Sequence, residues 1–415
     1  MSTASSSSRR KLRLAYLVTH PIQYQAPLLR RIAREPDIDF KVFFGTDFSA
    51  HAFKAAEFGR VIEWDVPLLD GYSSEILPIL LGRAEKGVLP PLDFWRPLNR
   101  GLARRLSEGR FDALWIHGYS HWTHLSAMAA ATRRRIKVLL RDEATAISKQ
   151  RSVAKRLAKQ FFFLGIDRLI DAYLAIGTLN HDYYVANGIS ESRIFPVPYA
   201  VDNARFIAEA GDAARTREAS RATLGLAPGR PVLLFAAKLI ERKRPAELIA
   251  AFAKVHDDPA LRRPYLLFAG DGPLRQALEA QAAEQAPGAV KFLGFQMQSE
   301  LPRCYDLCDA FILPSGEEAW GLVVNEVMCA GRAVIVSDKV GAGRDLVRPG
   351  ENGAIFRSDD QRDMARAMSE MLADPDRLKA MGQNSRKIID DWGFEQDIKG
   401  LRWALRSLCP GRLWD

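Results

Sequence analysis

At 415 residues the chain is too long for one ordinary hydrophobic core, so two domains are expected. Its 47% hydrophobic and 26% charged residues exclude a disordered or fibrous chain, and no stretch approaches the roughly 18 unbroken apolar residues of a membrane span. A formal net charge of +9 calls for an anionic partner, which nucleic acid, a nucleotide or an anionic membrane would equally satisfy.

The start, MSTASSSSRR, places basic residues before an apolar run as a signal peptide does. That run is short and ends at His20-Pro21 without a small-residue cleavage site, so residues 1–10 read as a disordered leader and the protein as cytoplasmic. Leu12–Val18 then reads as a buried strand, Tyr24–Ala33 as a helix and Phe40–Phe44 as a second strand. Alternating strands and helices point to an α/β fold with doubly wound parallel sheets. The stretch 46–97 shows no periodicity that places it.

The turn THPIQYQAP follows the first strand, at the strand end where such sheets bind ligands. It offers His20, Gln23 and Tyr24 as hydrogen-bonding groups, with a purely structural role for His20 an equal alternative. Arg110–Ile116 is a further strand that ends in His117-Gly118, a placement that favours a ligand role for His117. After the strand Ile136–Leu140 come Arg141, Asp142 and Glu143, which either line the acceptor side or pair with one another. Basic residues crowd the span 133–168, and SKQRSVAKRLAKQFFFLG within it is a basic amphipathic segment suited to an anionic bilayer, or else an ordinary surface helix. Ala172–Ile176 and Ile194–Val197 are later strands, which closes a first domain at 11–202.

Residues 203–230, rich in Ala, Arg and Glu with Gly225, Pro228 and Gly229, read as a helix and turn that form the interdomain linker. A second alternating series occupies 231–390: strands at Val232–Ala236, Tyr265–Ala269, Val290–Leu293, Ala310–Leu313 and Ala333–Val336 with helices between. Residues 391–415 form a last helix. Cys304, Cys308, Cys329 and Cys409 lack metal-site or redox spacing and fit thiols of a reducing compartment, so no metal is expected.

The most informative stretch is DAFILPSGEEAWGLVVNEVMCAG, 309–331. A buried strand ends in the turn Pro314-Ser315-Gly316, and from Gly321 the pattern becomes a helix apolar on most sides that carries Glu326. An unpartnered carboxylate there is costly. Glu318 stands eight residues earlier, roughly 12 Å away at a helical rise. That spacing suits two clamps on a long ligand, with the helix start between them open to an anion. A nucleotide-diphosphate sugar has that shape.

Glu318-Ala-Trp-Gly-Leu-Val-Val-Asn-Glu326, set between a Pro-Ser strand end and a Cys-Ala-Gly helix end, resembles the E-x7-E signature of the family-4 retaining glycosyltransferases. The resemblance runs through most of Leu12–Phe394 and is strongest in the second half. It implies the GT-B fold, two Rossmann-like domains facing across a cleft, with the final helix crossing back to the first. By the same resemblance Glu318 holds the sugar, Glu326 the ribose, and Lys238 with Lys243 the diphosphate; Gly294, Phe295, Gln296, Trp320, Gly321 and Leu322 line the donor. Lys238 stands where the family usually has Arg, and Arg244 where Gly is common. His117 matches a family His near the transferred sugar, so the implied catalytic set is Glu318, His117 and Lys243, with His20, Gln23 and Arg141 towards the acceptor.

The implied function is retaining, metal- and cofactor-independent transfer of a hexosyl unit from a UDP- or GDP-sugar to a glycan or lipid-linked acceptor in envelope or exopolysaccharide synthesis. Two rivals are a sugar-nucleotide 2-epimerase of the same fold and a nucleic-acid binder resting on the charge. No nucleic-acid motif accompanies the basic residues, so nucleic acid is not expected as a partner.

Overall fold

A computed structural model describes residues 10–55, 60–83, 87–90, 92–145 and 162–413. Most of the basic segment 148–165 and nearly all of the expected leader 1–10 lie outside them. Two parallel sheets organise the chain. The first contains β1 (Leu12–Val18), β2 (Ile38–Phe44), β5 (Ser73–Ile76), β8 (Ala113–His117), β9 (Lys137–Arg141), β10 (Ala172–Ala175) and β11 (Ile194–Pro196), in the order β11-β10-β9-β8-β1-β2-β5. The second contains β12 (Val232–Ala236), β13 (Tyr265–Ala269), β14 (Val290–Gly294), β15 (Ala310–Leu313), β16 (Ala333–Ser337) and β17 (Gly353–Phe356), in the order β14-β13-β12-β15-β16-β17.

These strands are near-continuous apolar runs because helices cover both faces of each sheet. In β1, Leu14, Tyr16 and Val18 enter one core and Ala15 and Leu17 the other. In β12, Leu233 and Phe235 face one way while Val232, Leu234 and Ala236 face the other. Each sheet has one point at which the strand order reverses: between β1 and β8 in the first, between β12 and β15 in the second. The carboxyl ends of the strands at such a point leave a crevice that the connecting loops cannot cover.

The unplaced stretch 46–97 contributes the edge strand β5, the whole of one small antiparallel ribbon, β3 (Phe53–Ala55) with β4 (Arg60–Ile62), and half of a second, β6 (Ile79–Leu81) with β7 (Leu98–Asn99). The expected linker at 203–230, read as a helix and turn, holds two helices, Asn203–Ala214 and Arg217–Thr223. Asp202 caps the first by accepting from the Arg205 amide, and Phe206 packs beside Tyr305 in the core of the second sheet. Arg217 and Arg221 both pair with Asp309 at the base of β15. The helix Phe394–Leu408 lays Ile398, Leu401, Ala404 and Leu405 on the first sheet. Among the described residues no helix is long and apolar enough to cross a membrane.

Candidate functional site

At the reversal point of the second sheet, the loops after β12 and β15 are laced together. The Gly316 amide donates to the Arg242 carbonyl at 2.9 Å, and Arg242 Nη1 donates to the Glu317 carbonyl at 2.8 Å. Lys243 Nζ is bonded to Glu318 Oε2, with both side chains largely buried. Burial lowers the Lys243 ammonium to about 7, with Arg242 and Lys238 adding repulsion. Lys238 stands on the same loop, partly buried. The turn after β13 supports this loop from below: a side chain at Gly270 would strike the Ala237 carbonyl, and one at Gly272 the Leu239 carbonyl.

Gly321 caps the helix Leu322–Cys329 with φ +96°, a left-handed conformation that spares a side chain crowding against Val340, Glu318 and Leu313. One turn further on, Glu326 is buried and accepts a hydrogen bond from the Tyr305 hydroxyl. Burial raises its carboxyl to about 7, against the opposing pull of Tyr305 and Arg205. Glu318, the helix start at Gly321 and Glu326 follow one another along a single segment. Leu322 is half-buried at the helix start, and Gly294 ends β14 with φ +75°.

Three expected donor residues are placed differently. Trp320 is buried: its ring stacks on Trp392 at 5.5 Å and its Nε1 donates to Asn325 Oδ1 at 2.9 Å. It packs the two halves together, because Gly177 of the first leaves room for its edge. Phe295 packs with Phe53 and Ile62 of the first half. The Gln296 amide nitrogen turns back on the Leu293 carbonyl at 2.8 Å.

At the first sheet's reversal point, His117 ends β8. Gln25 Nε2 lies 3.3 Å and the Tyr199 hydroxyl 3.3 Å from His117 Nε2. Tyr199 in turn donates to Glu143 Oε1 at 2.5 Å, and Tyr24 reaches the same oxygen at 3.3 Å. Burial, with Arg141 and two further histidines nearby, lowers His117 to about 3, so the ring is neutral. His20 is likewise held neutral, its pKa lowered by burial to about 4, with its ring 4.7 Å from Phe48. Gln23 is half-buried on the same turn.

Arg141, expected towards the acceptor, is buried instead. It pairs with Asp397 at 3.2 Å and donates to the Val197 and Pro198 carbonyls, which ties the last helix to the first sheet. Its pairing with Glu143, the other expectation, does not form: Glu143 is left for the tyrosines. Tyr199 and Gln25 were not among the expected site residues, and the fold brings them to His117. Among the described residues no cluster of His, Cys, Asp or Glu could hold a metal ion.

Residues 216–388 match the family model of glycosyl transferases group 1. The D-inositol 3-phosphate glycosyltransferase of Nocardia farcinica is 32% identical over 224 residues, covering 52% of this chain and 47% of that protein. The chain thus spans about half the length of the curated relatives it matches. Among solved structures, Anabaena HepE in complex with UDP and glucose superposes with a TM-score of 0.68 at 16% identity, covering 95% of this chain and all of that one. The lipopolysaccharide outer core galactosyltransferase WaaB superposes with a TM-score of 0.64 at 14% identity over 95% of this chain and 99% of its own. These likenesses give the fold, two parallel-sheet units of the GT-B type. Residues 216–388 carry the likeness to the glycosyl transferases group 1 family.

Proposed function

We propose that the chain is a retaining, metal-independent glycosyltransferase that moves a hexosyl unit from a UDP- or GDP-sugar to a glycan or lipid-linked acceptor in envelope or exopolysaccharide synthesis. The observation that carries this reading is the contact of Lys243 with Glu318, next to the Gly321 helix start and eight residues before the buried Glu326. In it, Glu326 accepts from the ribose hydroxyls and Glu318 from the hexose. Lys243 leaves Glu318 for the diphosphate, where it and Lys238 offset the charge that develops as the sugar–phosphate bond breaks. The family match and the UDP and glucose bound to Anabaena HepE support a nucleotide-sugar donor.

On the facing side, neutral His117 offers a hydrogen bond to the sugar or acceptor, oriented by Tyr199 and Gln25. The acceptor oxygen bonds to the anomeric carbon on the face from which the phosphate departs. Its proton passes to the leaving phosphate oxygen, which preserves configuration. Gly294 and the backbone beside it face the base.

A lipid-linked acceptor at the cytoplasmic face of an anionic membrane is favoured by the ribbon β6–β7 and its connection. Phe94, Trp95 and Trp122 cluster there, with Trp95 54% and Trp122 43% exposed. Asn99 of this ribbon bonds to the Gly45 carbonyl just past β2, at the same sheet end as His20 and His117. Exposed aromatics on this scale fit a lipid surface.

A panel of nucleotide sugars tests the reading: one of them should raise the melting temperature and, with an acceptor extract, release the nucleoside diphosphate with the sugar in unchanged configuration. Conversion to a new nucleotide sugar without acceptor would establish a 2-epimerase instead.

A further inference from the structure

Arg244 follows Lys243 and opens the helix Pro245–His256 with φ +52° and ψ +43°. A residue with a Cβ pays roughly 1–2 kcal/mol for this left-handed conformation, which glycine adopts freely. Its guanidinium rests against the turn that ends β15: a Cβ built on Gly316 would stand 2.9 Å from Arg244 Nε, 3.5 Å from Cζ and 3.6 Å from Nη2. Any larger residue at 316 would displace it. Arg244 is half-buried, and among the described residues its guanidinium donates to no carbonyl or carboxylate.

A strained backbone, a neighbour without a side chain and an unpaired planar cation thus coincide where the β12 and β15 loops meet. Lys238 and Lys243, on the same loop, are point charges; only a guanidinium grips two oxyanion oxygens at once. We propose that Arg244 is a donor-binding residue, which takes the diphosphate of the nucleotide sugar in a two-pronged contact over Gly316. The inference rests on the nucleotide-sugar reading and adds to it the residue that fixes the orientation of the diphosphate.

Titration of the full chain with UDP and GDP tests it, using Arg244→Gly, Arg244→Lys, Gly316→Ala and the double variant Arg244→Gly/Gly316→Ala. Loss of charge-assisted hydrogen bonds predicts a Kd roughly 10- to 100-fold weaker for Arg244→Gly, although its melting temperature stays level or rises as the left-handed strain is relieved. Arg244→Lys should recover little of the affinity. Gly316→Ala should weaken binding in the parent chain and add nothing to Arg244→Gly. If the wild type binds and Arg244→Gly binds within about twofold of it, the assignment of Arg244 is overturned while the donor reading stands. Failure of the wild type to bind any nucleoside diphosphate would overturn both.

Discussion

Lys243 and Glu318 contact each other in the ligand-free chain; on the proposed reading an incoming diphosphate draws the lysine away from the carboxylate. Burial pulls the Lys243 ammonium down to about 7 and pushes the Glu326 carboxyl up to about 7. Phosphate binding needs the ammonium, which is lost as pH rises through about 7. Ribose binding needs the carboxylate as acceptor, which is lost as pH falls through about 7. Affinity for the nucleoside diphosphate is therefore expected to peak near neutrality in a calorimetric pH series; Lys243→Met should flatten the alkaline limb and Glu326→Gln the acid limb.

Glu326 also makes a stability statement. Its folded pKa of about 7 lies above the ordinary 4.5, so its contribution is intact below about 4.5 and is lost as pH rises towards 7. Glu326→Gln should then stabilise the fold by about 1–3 kcal/mol at pH 8 and barely at pH 5 in denaturant melts, while the nucleotide binds at least about tenfold more weakly. Glu326 stood out because a carboxylate on an apolar helix needs a partner. Tyr305, which supplies that partner in the free chain, was hidden because it comes from another helix.

At the scale of elements, the lacing of the β12 and β15 loops and the turn at Gly321 set where the site's side chains stand. Gly321→Ala would force a Cβ to 3.2–3.3 Å from Val340, Glu318 and Leu313 in a left-handed conformation. We expect a loss of about 1–2 kcal/mol in stability and a nucleotide Kd raised roughly tenfold, read by melting and titration on the same sample. The buried parallel strands were readable as apolar runs; Leu12–Val18 and Val232–Ala236 have the bounds their residues suggest. Boundaries slipped where side chains meet the backbone. β8 begins at Ala113, not Arg110, because Arg110 is left-handed and Asp112 turns back to accept from the Arg13 amide at 2.9 Å. The ribbons within 46–99 are two or three residues per strand, too short for any period to register. The stretch 203–230 was readable as a helix and turn but not as two helices, since Phe206 and Ala210 are the buried hydrophobics that mark the first.

For the whole molecule, Tyr199 joins the two halves. Its carbonyl accepts from Asn325 Nδ2 at 3.1 Å and Trp392 Nε1 at 2.8 Å, while its hydroxyl reaches His117 and Glu143. The Trp320–Trp392 stack sits beside it. No local pattern could reveal that stack, because its partners are far apart in sequence and meet only when the last helix crosses back. Trp392→Ala should cost roughly 2–4 kcal/mol and lower kcat with little change in nucleotide Kd, since it disturbs how the halves face each other and leaves the Lys243 loop intact. The claim on which all of this depends is that Lys243 and Glu326 grip one nucleoside diphosphate. Calorimetric titration of UDP and GDP into the wild type, Lys243→Met and Glu326→Gln tests it most directly: one nucleotide should bind the wild type and bind each folded variant at least about tenfold more weakly, whereas wild-type affinity in both variants, or no binding to the wild type, would contradict it.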